Sequence, residues 1–232
     1  MKMIAAPARL PDGLRVYAIG DVHGCCGRLT ALHAAIAADW RVAPASACAV
    51  VHLGDYVDRG PNSAGVLTLL DGKGPIPGAH RILLRGNHEV MMLEALAAGP
   101  GTAAEDFWLH NGGRATLASY GATDAALRLP RSHAALLEGL TTSWQAGGYL
   151  FVHAGINPRR PMDQQDEHDL LWIREPFLSW PMPLPAIVVH GHTPARRVEI
   201  RQHRIGIDTG AVAGGALTAL VLEADGLRLL EA

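Results

Sequence analysis

The chain has 232 residues, 49% of them hydrophobic and 18% charged, and a chain of this length buries roughly 70% of its unfolded surface. Its 20 basic and 22 acidic side chains leave a formal net charge of −2, which argues against the basic surface of a nucleic-acid or membrane-surface protein. No apolar run is long enough for a membrane helix, and the initial MKMIAAPARLPDG lacks the apolar segment of a secretory signal. Three cysteines, two of them adjacent, form no disulfide framework, so we expect a reduced, cytoplasmic protein.

Short apolar runs that end mostly at Gly, Asp or Asn predict the strands. Early in the chain these runs alternate with helical patterns, which predicts a largely parallel sheet. The middle, 99–148, is typical of helices broken by glycine, and the strands after Leu184 are joined by short polar loops that predict antiparallel hairpins. Without a clear linker, we expect one domain over 1–232. The predicted strands are Leu14–Ile19, Ala47–Leu53, Arg81–Leu84, Tyr149–His153, Ile187–His190, Arg204–Ile207 and Leu217–Leu222.

Several predicted strands run directly into short loops that carry metal-ligand side chains. Because functional groups collect at the carboxyl ends of strands in α/β sheets, these loops are expected to meet in one crevice. One such loop alone would be a weak signal, whereas all of them together, and above all the two aspartates and the arginine of GDYVDRG, are specific. The loops are GDVHG at Gly20–Gly24, GDYVDRG at Gly54–Gly60, RGNHE at Arg85–Glu89, HAG at His153–Gly155 and GHTP at Gly191–Pro194.

The side chains in these loops offer oxygen and imidazole ligands and no cysteine thiolate. This set suits Mn²⁺, Fe or Zn²⁺, and it is large enough for two ions with a carboxylate between them. Two metal ions about 3.5–4 Å apart are the usual clamp for in-line displacement at phosphorus. Arg59, Arg85 and Arg174 stand near the loops and could hold phosphate oxygens as planar forks, although for Arg85 we favour bracing of Asp58.

These motifs resemble those of the PPP-type serine/threonine protein phosphatases, within the calcineurin-like metallophosphoesterase superfamily. The resemblance is strongest to the short bacterial and phage-lambda-phosphatase-like group, and it runs from about Val16 to Leu222. It implies a mixed α/β fold, a four-layer αββα sandwich in which two sheets lie between helical layers. Three further segments carry it: WLHNGG at Trp108–Gly113, LWIRE at Leu171–Glu175 and IDTGAVAGGALT at Ile207–Thr218.

The resemblance also implies two divalent metal ions, with Mn²⁺ expected first and Fe or Zn²⁺ as alternatives. Pro194 stands where many superfamily members have a further histidine ligand, which leaves the first ion fewer protein ligands. The implied metal ligands are Asp21 and His23 for the first ion, Asp55 as the bridge, and Asn87, His153 and His192 for the second. The other implied roles are His88 as general acid, Asp58 as the acceptor of its second ring N–H, and Arg59, Asn87 and Arg174 as phosphate-binding residues.

These roles predict hydrolysis of phosphate monoesters. A hydroxide that bridges the two ions would attack phosphorus in line, and His88 would protonate the departing alkoxide. The expected substrates are phosphoserine and phosphothreonine in a phosphorylated protein or peptide. We expect no nucleic-acid partner and no membrane partner.

Two other functions stay open. Diadenosine tetraphosphate hydrolases, the bis(5'-nucleosyl)-tetraphosphatases, share the hexapeptide GDVHGC. They typically have alanine at the position of Asp58, aspartate at that of Glu89, and a longer central insertion, and this chain departs from them at each point. An inactive scaffold that keeps the fold is the second alternative, and a missing ligand would favour it. No ligand position is missing.

Some residues near the motifs have a structural interpretation beside the functional one. Strand alternation would place His190 and His192 on one side, and the family pattern favours His192 as the ligand. Trp108 could line the mouth of the site or pack in a helix–turn unit, and Asp208 could support the ligands or close a turn. The four arginines in 196–204 could attract acidic substrates, although such a run is more often a solvated hairpin face.

Overall fold

The strands form two sheets in the computed structural model, which describes residues 3–232. One sheet has the strand order β1-β11-β10-β2-β3-β4 and the other β5-β6-β7-β9-β8, in the numbering that follows. The strands are β1 (Ile4–Ala5), β2 (Leu14–Ile19), β3 (Ala47–His52), β4 (His80–Leu83), β5 (Ser143–Ala146), β6 (Tyr149–Val152), β7 (Ile187–His190), β8 (Glu199–Ile200), β9 (Arg204–Gly206), β10 (Thr218–Glu223) and β11 (Gly226–Glu231).

The helices follow the apolar periodicity of the sequence. The middle segment is helical with breaks, as predicted, and a short π-type turn at Leu109–Gly113 joins two of its helices. The helices are α1 (Cys26–Val42), α2 (Ser63–Asp71), α3 (Asn87–Ala98), α4 (Ala103–Trp108), α5 (Arg114–Ser119), α6 (Arg131–Glu138) and α7 (Glu167–Trp172).

Both sheets mix parallel and antiparallel pairs. In the first sheet, β2 pairs in parallel with β3 and β3 with β4, which confirms the parallel sheet predicted for the early part of the chain. The prediction of antiparallel hairpins after Leu184 is correct for β8–β9 and β10–β11 and wrong for β7, which pairs in parallel with both β6 and β9. The apolar run of β7 is typical of a strand buried within a parallel sheet.

Alternate residues of the strands face different layers of the molecule. In β2, Tyr17 packs against the helices while Val16 packs against the second sheet. In β6, Phe151 faces the first sheet, whereas Val152 packs outward with Leu170 of α7. The molecule therefore has four layers, namely the helices on the first sheet, the first sheet, the second sheet and the outer helix α7. One apolar cluster lies between each pair of adjacent layers, which confirms the predicted αββα sandwich.

Within residues 3–232, no helix has the length and the apolar character that crossing a membrane requires.

A buried histidine pair predicts that the protein loses stability in mild acid. His33 Nε2 of α1 lies 3.0 Å from His52 Nε2 of β3. Burial lowers the pKa of His33 to about 4 and that of His52 well below its ordinary value, so both rings are neutral in the folded state. Unfolded histidines bind protons below about pH 6.5. The stabilisation is therefore present above that pH and is lost as the pH falls from about 6.5 towards 4, at about 1.4 kcal/mol per pH unit for each histidine.

Urea unfolding of the wild type and His33→Gln between pH 7 and pH 5 measures this effect. We expect a shallower pH dependence of the free energy of unfolding in the variant. His80→Gln, which changes an exposed histidine, should keep the wild-type slope. Equal slopes for wild type and His33→Gln would show that His33 does not contribute.

Candidate active site

The sharpest backbone turns coincide with the loop motifs at the ends of β2, β3 and β7. Left-handed φ values are uncommon for residues with a side chain, and they cluster at functional sites because the surrounding structure must hold them. Five of the six such residues within 3–232 belong to the motifs, namely His23 (42°), Asp55 (51°), Asp58 (70°), Arg59 (66°) and His192 (62°).

The first group of candidate metal ligands consists of His23, Asp55 and His88, whose ligand atoms lie within 4.8 Å of one another. His23 Nε2 is 3.4 Å from Asp55 Oδ2, and His88 Nε2 is 4.0 Å from the same oxygen. His23 Nδ1 donates to the Val57 carbonyl oxygen at 2.9 Å, so its Nε2 carries the lone pair and accepts from the Arg59 guanidinium at 2.7 Å. Burial lowers the pKa of His23 to about 4, which keeps the ring neutral.

The second group consists of Asp55, His153 and His192, again within 4.8 Å, and the Asn87 amide lies between the two rings. His153 Nε2 is 3.3 Å from Asp55 Oδ1 and 2.9 Å from Asn87 Oδ1, and His192 Nδ1 is 3.0 Å from that amide oxygen. His153 Nδ1 donates to the Leu53 carbonyl oxygen at 2.9 Å, so the lone pair of Nε2 faces the oxygens. Burial lowers the pKa of His153 and lowers that of His192 to about 3.

This arrangement of acceptors fits metal ions. The lone pair of the neutral His153 ring and the Asn87 oxygen face each other, and a cation between them would make that contact favourable. Asp55 places one oxygen in each group, as a bridging ligand would. Burial acts to raise the pKa of Asp55, but His153 and the other three histidines outweigh it and lower the pKa. The residues present therefore fit two divalent ions that share Asp55.

Asp21 is a member of neither group, although the sequence analysis assigned it to the first ion. Its Oδ2 accepts the backbone N–H of His192 at 2.9 Å, and its Oδ1 is buried without a hydrogen-bond partner within residues 3–232. A Cβ at Gly191 would collide with Oδ1, so this contact requires glycine. Burial and the nearby Asp208 raise the pKa of Asp21 well above its ordinary value. An unpaired buried carboxylate oxygen beside the groups is a further position that a cation would satisfy.

His88 and Asp58 form a buried hydrogen-bonded pair beside these groups. His88 Nδ1 donates to Asp58 Oδ2 at 2.8 Å. Asp58 also accepts the Trp108 indole N–H at 2.9 Å and the Thr116 hydroxyl at 2.7 Å, so its carboxylate is held on several sides. Burial acts to lower the pKa of His88, but the Asp55 and Asp58 carboxylates outweigh it and raise the pKa. Trp108 therefore lies beneath the site as a support of Asp58, not at its mouth.

Glu89 holds the GDYVDRG loop, a role that the sequence analysis missed. Its carboxylate accepts four backbone N–H groups, those of Asp55, Tyr56, Val57 and Gly86, at 2.7–3.3 Å. These bonds tie the turn after β3 to the start of α3. The sequence signal for this role is the position of Glu89 in the first turn of α3, three residues after the N-cap residue Gly86. A glutamate side chain at that position can reach back to the free N–H groups at the start of the helix.

A cleft of about 670 Å³ opens over the two groups of ligands. Arg59 and Arg174 line it together with Asn87, His88 and His192. Both arginines are exposed, and the Arg174 side chain has no hydrogen bond or ion pair with any residue in 3–232.

Arg85 lies elsewhere. It pairs with Glu167 at 3.2 Å and approaches the Leu140 carbonyl oxygen, so it neither braces Asp58 nor lines the cleft.

The structure separates His190 from His192. His190 Nδ1 contacts the Gly191 carbonyl oxygen at 3.0 Å, its Nε2 lies 3.3 Å from the Arg204 guanidinium, and its ring packs on Phe177. The expectation that both histidines lie on one side is wrong, because the left-handed turn at His192 interrupts the strand alternation.

Asp208 both closes a turn and lies beside a candidate ligand, which are the two roles that the sequence left open. Its Oδ1 accepts the N–H of Gly210 at 2.9 Å, which closes a turn, and its carboxylate lies close enough to Asp21 to raise the pKa of that group.

A model of the family described as calcineurin-like phosphoesterase matches residues 14–221. The chain belongs to this family. The match extends from β2 into β10 and contains all the loop motifs.

Relatives of this phosphoesterase carry two kinds of activity in their names. The chain is 32% identical over 218 residues to Serine/threonine-protein phosphatase 1 of Salmonella typhimurium, covering 88% of this chain and 89% of the relative. It is 27% identical over 229 residues to the asymmetrical bis(5'-nucleosyl)-tetraphosphatase PrpE of Geobacillus thermodenitrificans, covering 89% and 90% of the two chains. A crystal structure of a candidate diadenosine tetraphosphatase has a TM-score of 0.69 at 25% identity, covering 98% of each chain. The resemblance to the PPP phosphatases is confirmed, while the substrate is left open.

Proposed function

We propose that this phosphoesterase hydrolyses phosphoserine and phosphothreonine in proteins. The observation that carries the proposal is the His88–Asp58 pair, with its 2.8 Å hydrogen bond, at the floor of an open cleft that two arginines line. A serine or threonine alkoxide is a poor leaving group and needs a proton, and this pair holds a histidine whose second ring nitrogen is free to supply one.

The proposed metal ligands are Asp21, His23, Asp55, Asn87, His153 and His192, while His88 of the first group is kept as the acid, and Mn²⁺ is the ion expected first. Two divalent ions, when bound, supply Lewis-acid activation of water and neutralise phosphate charge. The first ion would be held by Asp21, His23 and Asp55, and the second by Asp55, Asn87, His153 and His192. Because His23 Nε2 can accept from Arg59 or bind a cation but not both, the loaded site leaves the Arg59 guanidinium free.

Arg59, Arg174 and the Asn87 amide are proposed to bind the phosphate. A guanidinium fork matches two phosphate oxygens at once, and fixed positive charge stabilises the three equatorial phosphate oxygens as the ester bond breaks. Arg59 is positioned by its left-handed backbone and by its N–H, which donates to the Gly112 carbonyl oxygen at 3.1 Å. Arg174 also lines the cleft, and its side chain has no hydrogen bond or ion pair within residues 3–232 that phosphate would have to displace.

His88 is proposed to protonate the leaving oxygen. With its Nδ1–H donated to Asp58, the ring can present a proton only at Nε2, which lies on the side of Asp55 and the metal groups. Asp58 cannot rotate away, because Trp108 and Thr116 hold its carboxylate.

Trp108→Phe tests whether the Trp108 indole positions the His88–Asp58 pair. The variant keeps an aromatic ring in the buried space but removes the N–H that donates to Asp58, and loss of a supporting hydrogen bond typically costs about 10–100-fold in activity. We expect kcat on a phosphoserine peptide to fall by about tenfold, with unchanged metal content. Trp40→Phe, which alters a tryptophan stacked on Arg15, should keep wild-type kcat. An unchanged kcat in Trp108→Phe would remove the positioning role.

Hydrolysis of diadenosine tetraphosphate is the second candidate function. Trp172 and His168 stack at 6.3 Å between ring centroids in the lining of the cleft, and such a pair could receive an adenine base. Two of the relatives named above also point to this substrate. The His88–Asp58 pair favours the ester, since a phosphoanhydride leaving group needs less protonation.

Initial rates with added Mn²⁺ decide between the two substrates. A phosphoserine or phosphothreonine peptide and diadenosine tetraphosphate are each supplied to the wild-type protein, and phosphate or nucleotide release is measured. We expect a higher kcat/KM on the peptide. A higher value on the dinucleotide would refute the proposal while leaving the phosphoesterase family unchanged.

A further inference from the structure

The segment that follows the ligand His192 carries an exposed basic surface. We define the basic loop as residues 195–201, which enclose a groove of about 370 Å³. Arg196 and Arg197 are both exposed in this loop. Their charge stands out in a chain whose formal net charge is −2.

The other two arginines of this region are already paired with an acidic side chain. Arg204 is buried and pairs with Glu199 at 2.8 Å, and Arg201 pairs with the same carboxylate at 3.3 Å. Arg196 and Arg197 have neither a side-chain hydrogen bond nor an ion pair with any residue of the described 3–232. Glu199 is therefore occupied, and two guanidinium groups are left to meet an external anion.

The basic loop adjoins the catalytic cleft. Pro194 lines the cleft and also a small cavity of about 160 Å³, which Ala195 lines as well. Ala195 in turn lines the groove of the basic loop. Arg196 is two residues from Pro194, so their Cα atoms are at most about 7 Å apart.

The backbone of the loop is anchored near both of its ends. The N–H of Ala195 donates to the Asp208 carbonyl oxygen at 3.0 Å, and that of Arg201 donates to the Arg204 carbonyl oxygen at 2.8 Å. The loop also contains β8 (Glu199–Ile200), which pairs with β9. A surface that needs little reordering on binding loses less affinity to conformational entropy.

We propose that the basic loop binds acidic side chains of the substrate that flank the phosphorylated residue, so that the enzyme prefers acidic phosphopeptides. This inference rests on the proposed function. An extended peptide advances about 3.3 Å per residue. Acidic residues two to four positions from the phosphorylated residue therefore lie about 7–13 Å from it, and the basic loop begins one residue after Pro194, which lines the cleft.

The test compares two phosphoserine peptides that differ only in the flanking positions. One carries Asp or Glu at two to four residues on both sides of the phosphoserine, and the other carries Asn or Gln. We expect wild-type kcat/KM to be about threefold to tenfold higher on the acidic peptide, because each exposed ion pair contributes a modest factor. The difference should lie in KM and should shrink at high salt.

The double variant Arg196→Gln, Arg197→Gln should lose this preference. Its kcat on both peptides and its rate on p-nitrophenyl phosphate, which has no flanking residues, should remain those of the wild type. The matched control Arg128→Gln, Arg131→Gln removes two exposed arginines on another part of the surface and should keep the preference. An unchanged preference in the first variant, or an equal loss in the control, would overturn the inference.

The same assay separates this inference from the proposed function. Hydrolysis of both peptides at equal kcat/KM by the wild type refutes the basic-loop inference alone. Hydrolysis of p-nitrophenyl phosphate without hydrolysis of either peptide refutes the proposed function and the inference with it. A loss of diadenosine tetraphosphate turnover in the double variant, without a change on the peptides, would assign the loop to a polyphosphate chain and overturn the inference.

Discussion

His88→Asn is expected to slow hydrolysis of a phosphoserine peptide by about 10²–10⁴-fold, the usual contribution of general acid catalysis. The variant keeps a polar side chain of similar reach but cannot donate a proton to an alkoxide. Its Asp58 partner stays satisfied, because Trp108 and Thr116 still donate to that carboxylate. We therefore expect a folded protein with nearly unchanged metal content, measured by elemental analysis of the purified variant.

A matched control is His110→Asn, which changes an exposed histidine whose Nδ1 contacts the Asp106 carbonyl oxygen. It should retain wild-type turnover. Asp58→Asn should reproduce much of the His88→Asn effect, because an amide at this position no longer holds the ring with a charged acceptor. Full turnover in His88→Asn would show that His88 is not the acid.

Asp55→Asn is expected to give the largest loss of metal binding. Asp55 places Oδ2 3.4 Å from His23 Nε2 and Oδ1 3.3 Å from His153 Nε2, so it is the only carboxylate with an oxygen in both candidate groups within residues 3–232. Loss of a residue that merely supports a ligand costs about 10–100-fold in metal affinity. Loss of a shared ligand should exceed that, and activity at micromolar Mn²⁺ should fall below detection.

Titration calorimetry with Mn²⁺ measures the effect, and Asp71→Asn, an exposed aspartate on α2, serves as the control. The wild type and the control should bind two ions for each chain. Asp55→Asn should bind at most one ion, and weakly. Two tightly bound ions in the variant would contradict the assignment of Asp55 as the bridge.

The convergence of the motif loops could be predicted because it depends on local signals. β2, β3 and β4 are parallel neighbours, so the loops after them share one edge. The candidate ligand residues follow these strands closely in the sequence. The same logic extends to the second sheet, where β6 and β7 are parallel and lead to His153 and His192.

The residues that support the site could not be predicted in the same way. Trp108 and Thr116 meet Asp58 across 50 and 58 positions of sequence. Three of the four backbone N–H groups that Glu89 accepts belong to residues more than 30 positions away. Such contacts depend on how α4, α5 and the first sheet pack, and no spacing rule within one segment encodes them.

The missed strands have a related explanation. β1 and β8 have two residues each, too few for a period-2 pattern to stand out. β5 and β11 pair with β6 and β10 across turns of two residues, at which Gly147–Gly148 and Ala224–Asp225 are the signals that the sequence analysis passed over. These short strands form because neighbouring strands pair with them, and their own composition gives little indication of a strand.

In the proposed mechanism, His88 protonates the poor leaving group of a phosphate monoester. The most direct test is the dependence of kcat/KM on the pKa of the leaving group, measured with Mn²⁺ over aryl and alkyl phosphate monoesters for the wild type and His88→Asn. We expect a shallow dependence in the wild type and a steep one in the variant, with p-nitrophenyl phosphate least affected by the substitution. An equally steep dependence in both proteins would contradict the proposed mechanism.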